Sequence, residues 1–422
     1  MLIEFSVSNY RSFRERQTLS MVAAPRLRKL DNVFKPELTG ERFPDLLKAC
    51  VVYGPNASGK SNLLRALDTV AQIARAKPSA GDVPLPVVPF RFDAKLADKP
   101  SVFELHFIHQ GVRYQFELAA TAERIVTERL TAFPKGKELL LYERRHSTEG
   151  DTYKFGRQME GGADLLGAWQ RLTAPKVLFI AQAVANSSEA LTQLRAPFSW
   201  LKDAAFVLLQ GMEAMANASQ RLVRDQSGYA EDIASFLRDV DVPIARIRVE
   251  PVEKPKGLGN ALEQLMGTGP RLGGAIPGSR TTLTHQTALG EADIRYEDES
   301  EGTKNLIGFW LPWSTREPWE KSAKSVLAVD ELDSSLHPEI VTALVAKHLR
   351  SATHSQLIFT THDTHLMDAK LLRRDQFWFT ERDANGATQL RSLHDFEGRE
   401  SEDIEKRYYE GRYRGLPILR RP

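Results

Sequence analysis

Gly54-Pro55-Asn56-Ala57-Ser58-Gly59-Lys60-Ser61 fits the pattern G-x-x-x-x-G-K-[ST]. In such a loop backbone N–H groups, here running on into Asn62, wrap phosphate oxygens, while the lysine meets the outer phosphates and the last hydroxyl binds Mg²⁺. A second stretch lies far downstream, where the apolar run Val326-Leu327-Ala328-Val329 delivers Asp330 and Glu331 side by side. Carboxylates are not buried unpaired inside an apolar strand, so this pair must end the strand and face a site. The chemistry the two stretches support together is phosphoryl transfer to water. Lys60 and the loop hold the phosphates, Mg²⁺ sits between Ser61 and Asp330, and Glu331 orients and deprotonates the attacking water. The bland alternatives are a chance match in a Gly-rich turn and a structural Glu331 paired with an arginine or lysine.

Weaker signals surround this pair. Val177-Leu178-Phe179-Ile180-Ala181 reads as another apolar strand ending in Gln182, either a plain strand-end residue or one that reaches Mg²⁺ and the attacking water. Ser300, Gly302 and Thr303 open a helical pattern carrying Leu306, Ile307, Phe309 and Leu311. They can simply cap that helix, or present hydroxyl and N–H donors to an anion. Gln356 to Thr360 forms a strand leading into Thr361-His362-Asp363. His362 and His365 lack further ligands at metal-site spacing, so a strand-end histidine facing the phosphates is the better reading.

The elements that must position these residues follow from periodicity. Leu63, Leu64, Leu67, Val70 and Ile73 recur at helical spacing after the glycine loop, and Ala49 to Tyr53 before it reads as a strand. Ile3, Phe5 and Val7 alternate with polar residues as a further strand. Short alternating runs at 102–107, 113–118, 139–142 and 153–155 predict an antiparallel meander. Residues 183–240 read as mostly helical, residues 244–249 as a strand, and residues 254–280, rich in glycine, proline and basic residues, as a long loop. A helix is expected after His337-Pro338.

Composition bounds the rest. The 422 residues are 42% hydrophobic, ample for a core and incompatible with disorder throughout. Lys+Arg 57 against Asp+Glu 55 leaves a formal charge of +2, silent on nucleic acid. The single cysteine, Cys50, admits no intramolecular disulfide and reads as a packing residue. Met1 opens straight into a strand and no run approaches the ~20 apolar residues of a membrane span, so a cytoplasmic protein without membrane partners is expected.

The ordered set GPNASGKS, FIAQ, ESEGT, VLAVDELDSSLHP and IFTTHD resembles the ABC-type ATPases of the SMC/RecF/OLD group. In particular it is similar to the bacterial RloA-like ATP-binding proteins, an AAA-labelled branch often found beside phage-defence nucleases, and the opening IEFSVSNYRSF and closing DIEKRYYEGRYRGLPIL of this chain also look like that branch. The resemblance implies an α/β fold, an ABC-type P-loop ATPase core with an antiparallel β meander lobe and a helical insertion. It implies an N-terminal ATPase lobe over residues 1–182, a helical insertion and loop over 183–280 and a C-terminal ATPase lobe over 281–422. ATP and Mg²⁺ would be the cofactors. Gln182 would be the Q-loop glutamine and a metal ligand with Ser61 and Asp330, and Asp333 the D-loop residue. His362 would be the switch histidine, and Ser300, Gly302 and Thr303 a degenerate signature acting in trans. Two heads would sandwich ATP as a homodimer or higher homo-oligomer. The implied function is an ATPase sensor or scaffold controlling a separate effector, a nuclease, in antiphage defence. The alternatives are a DNA-maintenance ATPase of the RecF/SMC kind, which would bind DNA, and a transporter subunit, disfavoured by the meander and the non-matching signature. The aromatic C-terminal segment, with Tyr408, Tyr409 and Tyr413, suits either a docking surface or packing back on the core.

Overall fold

Ala49–Tyr53 is buried along its whole length, each residue at 1% exposure or less, because it runs inside a sheet with parallel neighbours on both sides. A strand covered on both faces reads as an unbroken apolar run, which is why Val326–Val329 and Gln356–Thr360 look like it in the sequence. The order across this six-stranded core sheet is Ala205–Leu208, Val326–Val329, Gln356–Thr360, Ala49–Tyr53, Phe377–Arg382, Thr388–Ser392. All pairings are parallel except the last, a hairpin. The strands that carry the glycine loop and the acidic pair are therefore separated by one strand, and all three end on the same edge.

The computed structural model describes residues 1–76, 83–209, 212–252, 279–314, 326–351, 354–367, 370–399 and 402–416. The chain forms two compact units, one of Met1–Leu209, Ala323–Leu332 and Ala346–Pro422, the other of Gln210–Ser322 and Asp333–Val345. In the first unit the helix Lys60–Arg75 buries Leu63, Leu64, Leu67, Val70 and Ile73, the face its spacing predicts. Arg75 in its last turn donates to the carbonyls of Lys202 (2.8 Å) and Ala205 (2.9 Å), tying the helix to the edge strand.

The expected meander is a seven-stranded antiparallel sheet in the order Gly150–Phe155, Leu139–Ser147, Ile125–Phe133, Val112–Ala120, Ser101–His109, Leu2–Ser8, Gln17–Ser20. Phe103, Leu105, Phe107, Phe116 and Leu118 fill one face at period two. The buried amide of Gln356 joins this sheet to the core sheet, accepting from Leu2 N (2.6 Å) and donating to Leu2 O (2.9 Å).

The second unit packs the helices Glu213–Asp225, Gly228–Asp239 and Glu301–Trp313 with a three-stranded sheet, Ile244–Pro251, Ser279–Thr287 and Gly290–Arg295. Buried Thr281 donates to Gln220 (2.6 Å), linking sheet to helix. Gly308 lets the helix Glu301–Trp313 approach Met212 closely, since a Cβ there would lie 2.6 Å from the Met212 carbonyl oxygen.

Several expectations need correction. Residues 177–182 are not a strand: Phe179–Ala185 is a short helix containing Gln182. A run buried on all sides carries no period, so apolarity alone could not separate the two. Ile125–Phe133 is a meander strand absent from the sequence reading, its pattern broken by Thr127, Glu128 and Arg129. The edge strand Ala205–Leu208 lies inside the stretch read as mostly helical, and Ser279–Thr287 with Gly290–Arg295 forms an unforeseen hairpin. The C-terminal segment packs back on the core: Ile404, Tyr408 and Tyr413 are buried, and Tyr408 lies beside Tyr53 and stacks on Phe379. Cys50 is a buried free thiol, as expected, and burial pushes it up from its ordinary value. The loop over residues 254–280 lies outside the described residues except at its end.

Candidate functional site

Gly59 closes the loop with φ +106°, a left-handed conformation that favours glycine, and the helix begins at the next residue, Lys60. The first N–H groups of that helix have no partner four residues back and point toward the loop. The Lys60 ammonium is buried and lies across the loop, donating to the carbonyls of Gly54 (2.7 Å) and Pro55 (3.3 Å). Asn56 and Ala57 at the tip are exposed, with Ala57 at φ +60°.

The hairpin formed by the core strands Phe377–Arg382 and Thr388–Ser392 backs the loop. Thr380 Oγ1 shares a hydrogen bond with Ser58 Oγ (2.6 Å) and reaches Tyr53 O (3.2 Å). Thr388 Oγ1 lies 2.8 Å from Ser58 O and 2.7 Å from Ser12 Oγ, which also accepts from Asn62 Nδ2 (2.9 Å). Side chains at the two glycines would fill this support. A Cβ at Gly54 would lie 2.5 Å from the Thr380 carbonyl oxygen, and one at Gly59 would lie 2.8 Å from Ser12 Oγ and nearer still to the Thr388 hydroxyl.

Ser12 belongs to a tight turn in which Tyr10 and Phe13 exchange backbone hydrogen bonds (2.9 and 2.8 Å). Tyr10 in turn shares a bond with Thr69 of the loop helix (2.8 Å).

Thr360, fully buried at the end of the intervening strand, holds the acidic pair. Its hydroxyl donates to Asp330 Oδ1 (2.7 Å) and accepts from the Glu331 N–H (2.8 Å). Its carbonyl accepts from Leu332 N (3.0 Å). Glu331 has φ +51°, an uncommon conformation for a side chain of this size, and its side chain is exposed. His362 emerges exposed just beyond Thr360, and Asp363 O accepts from the Tyr53 hydroxyl (2.9 Å) at the base of the glycine loop.

The structure thus brings the loop, Asp330, Glu331 and His362 to the carboxyl ends of neighbouring parallel strands, where open α/β sheets place their ligands. Backbone N–H groups, an ammonium, the Ser61 hydroxyl and the Asp330 carboxylate are the donors that triphosphate and Mg²⁺ require, and the glycine cradle leaves space for them. Gln182 lies buried on its short helix, its carbonyl accepting from Asn186 N (3.2 Å) and Nδ2 (2.9 Å).

Ser300, Gly302, Thr303 and Asp333, for which the resemblance implies signature and D-loop roles, belong to the second unit. Ser300 is the N-cap of the helix Glu301–Trp313, its hydroxyl accepting from Thr303 N (3.1 Å) and lying 2.9 Å from Thr303 Oγ1. The stretch after Asp333 runs beside this helix start: Asn305 donates to Ser334 O (3.1 Å), and a Cβ at Gly302 would lie 2.9 Å from Ser335 O.

Ser12, Thr360, Thr380 and Thr388 went unnoticed in the sequence. Threonines in strands and a serine in a turn are ordinary there, and only Thr360, directly before Thr361-His362-Asp363, had a position that hinted at a role.

A glycine loop on a central parallel strand, with an acidic pair two strands away and a histidine between, defines an ABC-type P-loop ATPase fold of the α/β class. The chain belongs to the family described as "AAA domain, putative AbiEii toxin, Type IV TA system", which matches residues 50–368. Among solved structures it is similar to an SMC head domain from Thermotoga maritima, at 13% identity over 93% of this chain and 98% of that chain, with a TM-score of 0.41. It is also similar to an SmcHead bound to the C-winged helix domain of ScpA, at 13% identity over 93% and 99%, with a TM-score of 0.42. No curated protein matches the sequence. Among the described residues no helix is long and apolar enough to cross a membrane, and no group of three or more His, Cys, Asp or Glu could hold a metal ion by itself.

Proposed function

We propose that this protein is a Mg²⁺-dependent ATPase that acts as a sensor or scaffold for a separate effector, a nuclease, in antiphage defence. The observation that carries the ATPase part is the shared support of Asp330 and Glu331 by the Thr360 hydroxyl, one strand from the glycine loop. In this reading Lys60 leaves the carbonyls of Gly54 and Pro55 to meet the outer phosphates, and the loop N–H groups hold the rest. Ser61 and Asp330 would hold Mg²⁺, which would supply positive charge to offset the negative charge spread over the phosphate oxygens. Glu331, held at the site edge by its left-handed backbone, takes the proton of the attacking water. Gln182 and His362 orient that water and the outer phosphate. The effector part draws support from the resemblance to RloA-like proteins and from a family description that names a toxin and a system.

Turnover and binding separate the roles. Purified protein should hydrolyse ATP with Mg²⁺. Glu331→Gln should bind ATP yet turn over orders of magnitude more slowly, whereas Lys60→Ala should lose binding. Equal turnover in Glu331→Gln would remove it as the base. Expressed with the product of its neighbouring gene, the protein should co-purify with it in an ATP-sensitive way, and both substitutions should abolish phage protection. Full protection by Lys60→Ala, or a neighbour that never associates, would turn the reading toward a DNA-maintenance ATPase.

A further inference from the structure

The segment leading to Gln182 is gripped by two buried groups of opposite charge on the meander sheet. Glu128 and Arg144 sit directly opposite each other on adjacent strands, and both are fully buried. Glu128 Oε2 accepts from Phe179 N (2.7 Å), and its Oε1 accepts from Ile180 N (3.1 Å) and from the Tyr142 hydroxyl (2.7 Å). Arg144 donates to the carbonyls of Val177 (2.8 Å) and Ala174 (3.2 Å), and bonds Asp151 Oδ2 through Nε (2.9 Å) and Nη2 (2.7 Å). Ile125 N adds a bond to Pro175 O (2.9 Å). Asp151 is held in turn by Arg124 (2.8 Å) and His146 (2.7 Å), both only partly buried.

Stability alone does not call for this arrangement. Burial pushes the Glu128 carboxyl above its ordinary value, against the pull of Arg144, Tyr142 and the two N–H groups. Buried ion pairs are often no more stabilising than well-packed apolar side chains of the same volume. What charged, directional bonds add is a fixed place and rotation for what they hold. The helix Phe179–Ala185 is only seven residues long, too short to be stable by itself, so its start must be set from outside. The carboxylate of Glu128 fixes that start, and Gln182 lies within the first turn, its own N–H bonded to Leu178 O (3.1 Å).

We infer that Glu128 is a positioning residue for Gln182, with Arg144 as the second jaw of the same clamp, so that the meander sheet sets the geometry of the ATP site. The inference rests on the ATPase reading for its catalytic consequence, though the clamp itself does not.

The test compares the full-length protein with Glu128→Gln, Glu128→Asp, Gln182→Ala and the double variant Glu128→Gln/Gln182→Ala. Amide hydrogen exchange without nucleotide reads the clamp. In Glu128→Gln the amides of residues 179–186 should exchange at least ~10-fold faster, while those of the core strand Ala49–Tyr53 stay protected. Unchanged exchange at 179–186 would overturn the clamp whether or not the protein hydrolyses ATP. Steady-state kinetics read the consequence: kcat should fall ~10-fold or more in Glu128→Gln with the ATP Kd within about twofold, and Glu128→Asp should recover part of it. The double variant should be no slower than Gln182→Ala, because both changes remove one function. Multiplying effects, or a wild-type kcat in Glu128→Gln, would overturn the positioning role. Wild-type protein with no Mg²⁺-ATPase activity would instead overturn the ATPase reading and leave the exchange result to decide the clamp. Should Glu128→Gln not fold, Tyr142→Phe removes only the hydroxyl bonded to Glu128 Oε1 and is expected to speed exchange at Phe179 and Ile180 by a smaller factor. No change there would count against the clamp.

Discussion

Replacing Thr360 with valine keeps the shape of a fully buried strand residue and deletes one oxygen. That oxygen donates to Asp330 Oδ1 at 2.7 Å and accepts from Glu331 N at 2.8 Å. A hydrogen bond to a charged group contributes about 1.5–3 kcal/mol, and a donor left without a partner in a sheltered position costs about 1–3 kcal/mol. The left-handed backbone of Glu331, φ +51°, costs a further ~1–2 kcal/mol that the Thr360 bond now helps to offset, so its loss frees Glu331 to relax. Part of the deficit is recovered by that relaxation, which leaves a net destabilisation of about 2–4 kcal/mol. The relaxation also moves the proposed base, so turnover should drop ~10-fold or more. Guanidinium denaturation measures the first quantity and steady-state ATP hydrolysis the second. Thr360→Ser, which keeps the hydroxyl and loses a methyl, should restore most of the turnover. A Thr360→Val protein within about 0.5 kcal/mol of wild type and with unchanged turnover would refute the account of how the acidic pair is held.

Gly59→Ala combines a strained φ of +106° with a Cβ driven against Ser12 and Thr388, so it should abolish ATP binding in a direct titration even where the protein remains folded. Mixing Lys60→Ala with Ser300→Arg subunits should restore part of the ATPase activity if the Ser300 segment of one copy completes the ATP site of another; recovery no better than the sum of the two variants, with mixing demonstrated, would reject the shared site. Glu104 is held down to about 2, chiefly by its bond to His106 and further by Arg16, against the opposing effect of burial. A carboxyl depressed in the folded state contributes stability above its unfolded value near 4.5 and loses it as pH falls toward 2, so Glu104→Gln should cost up to about 3 kcal/mol at pH 7 and close to nothing at pH 2, measured by denaturation at both.

The sequence by itself determined what short-range backbone geometry determines. The glycine loop was legible because its chemistry is written in consecutive residues, Gly54 through Ser61, whose spacing permits few other conformations. The helix Lys60–Arg75 was legible from the helical spacing of its apolar residues, and the strands Ala49–Tyr53, Val326–Val329 and Gln356–Thr360 from short apolar runs that stop at the glycine loop, the acidic pair and Thr361-His362-Asp363. Asp330 and Glu331 announced a site by standing at the end of an apolar run.

Only the tertiary structure decided what supports them. Thr388 and Ser12 meet beneath the loop from positions 376 residues apart, and Thr360 reaches the acidic pair across a strand pairing. The short helix around Gln182 takes its start from Glu128, a carboxylate 51 residues upstream on another sheet. A single hydroxyl or a glutamate in a strand carries no periodic signal, and its role exists only once the chain is folded. The same logic governed the error at residues 177–182, where a uniformly apolar run fits strand and helix alike. The choice was made by a buried acceptor that the run itself does not contain.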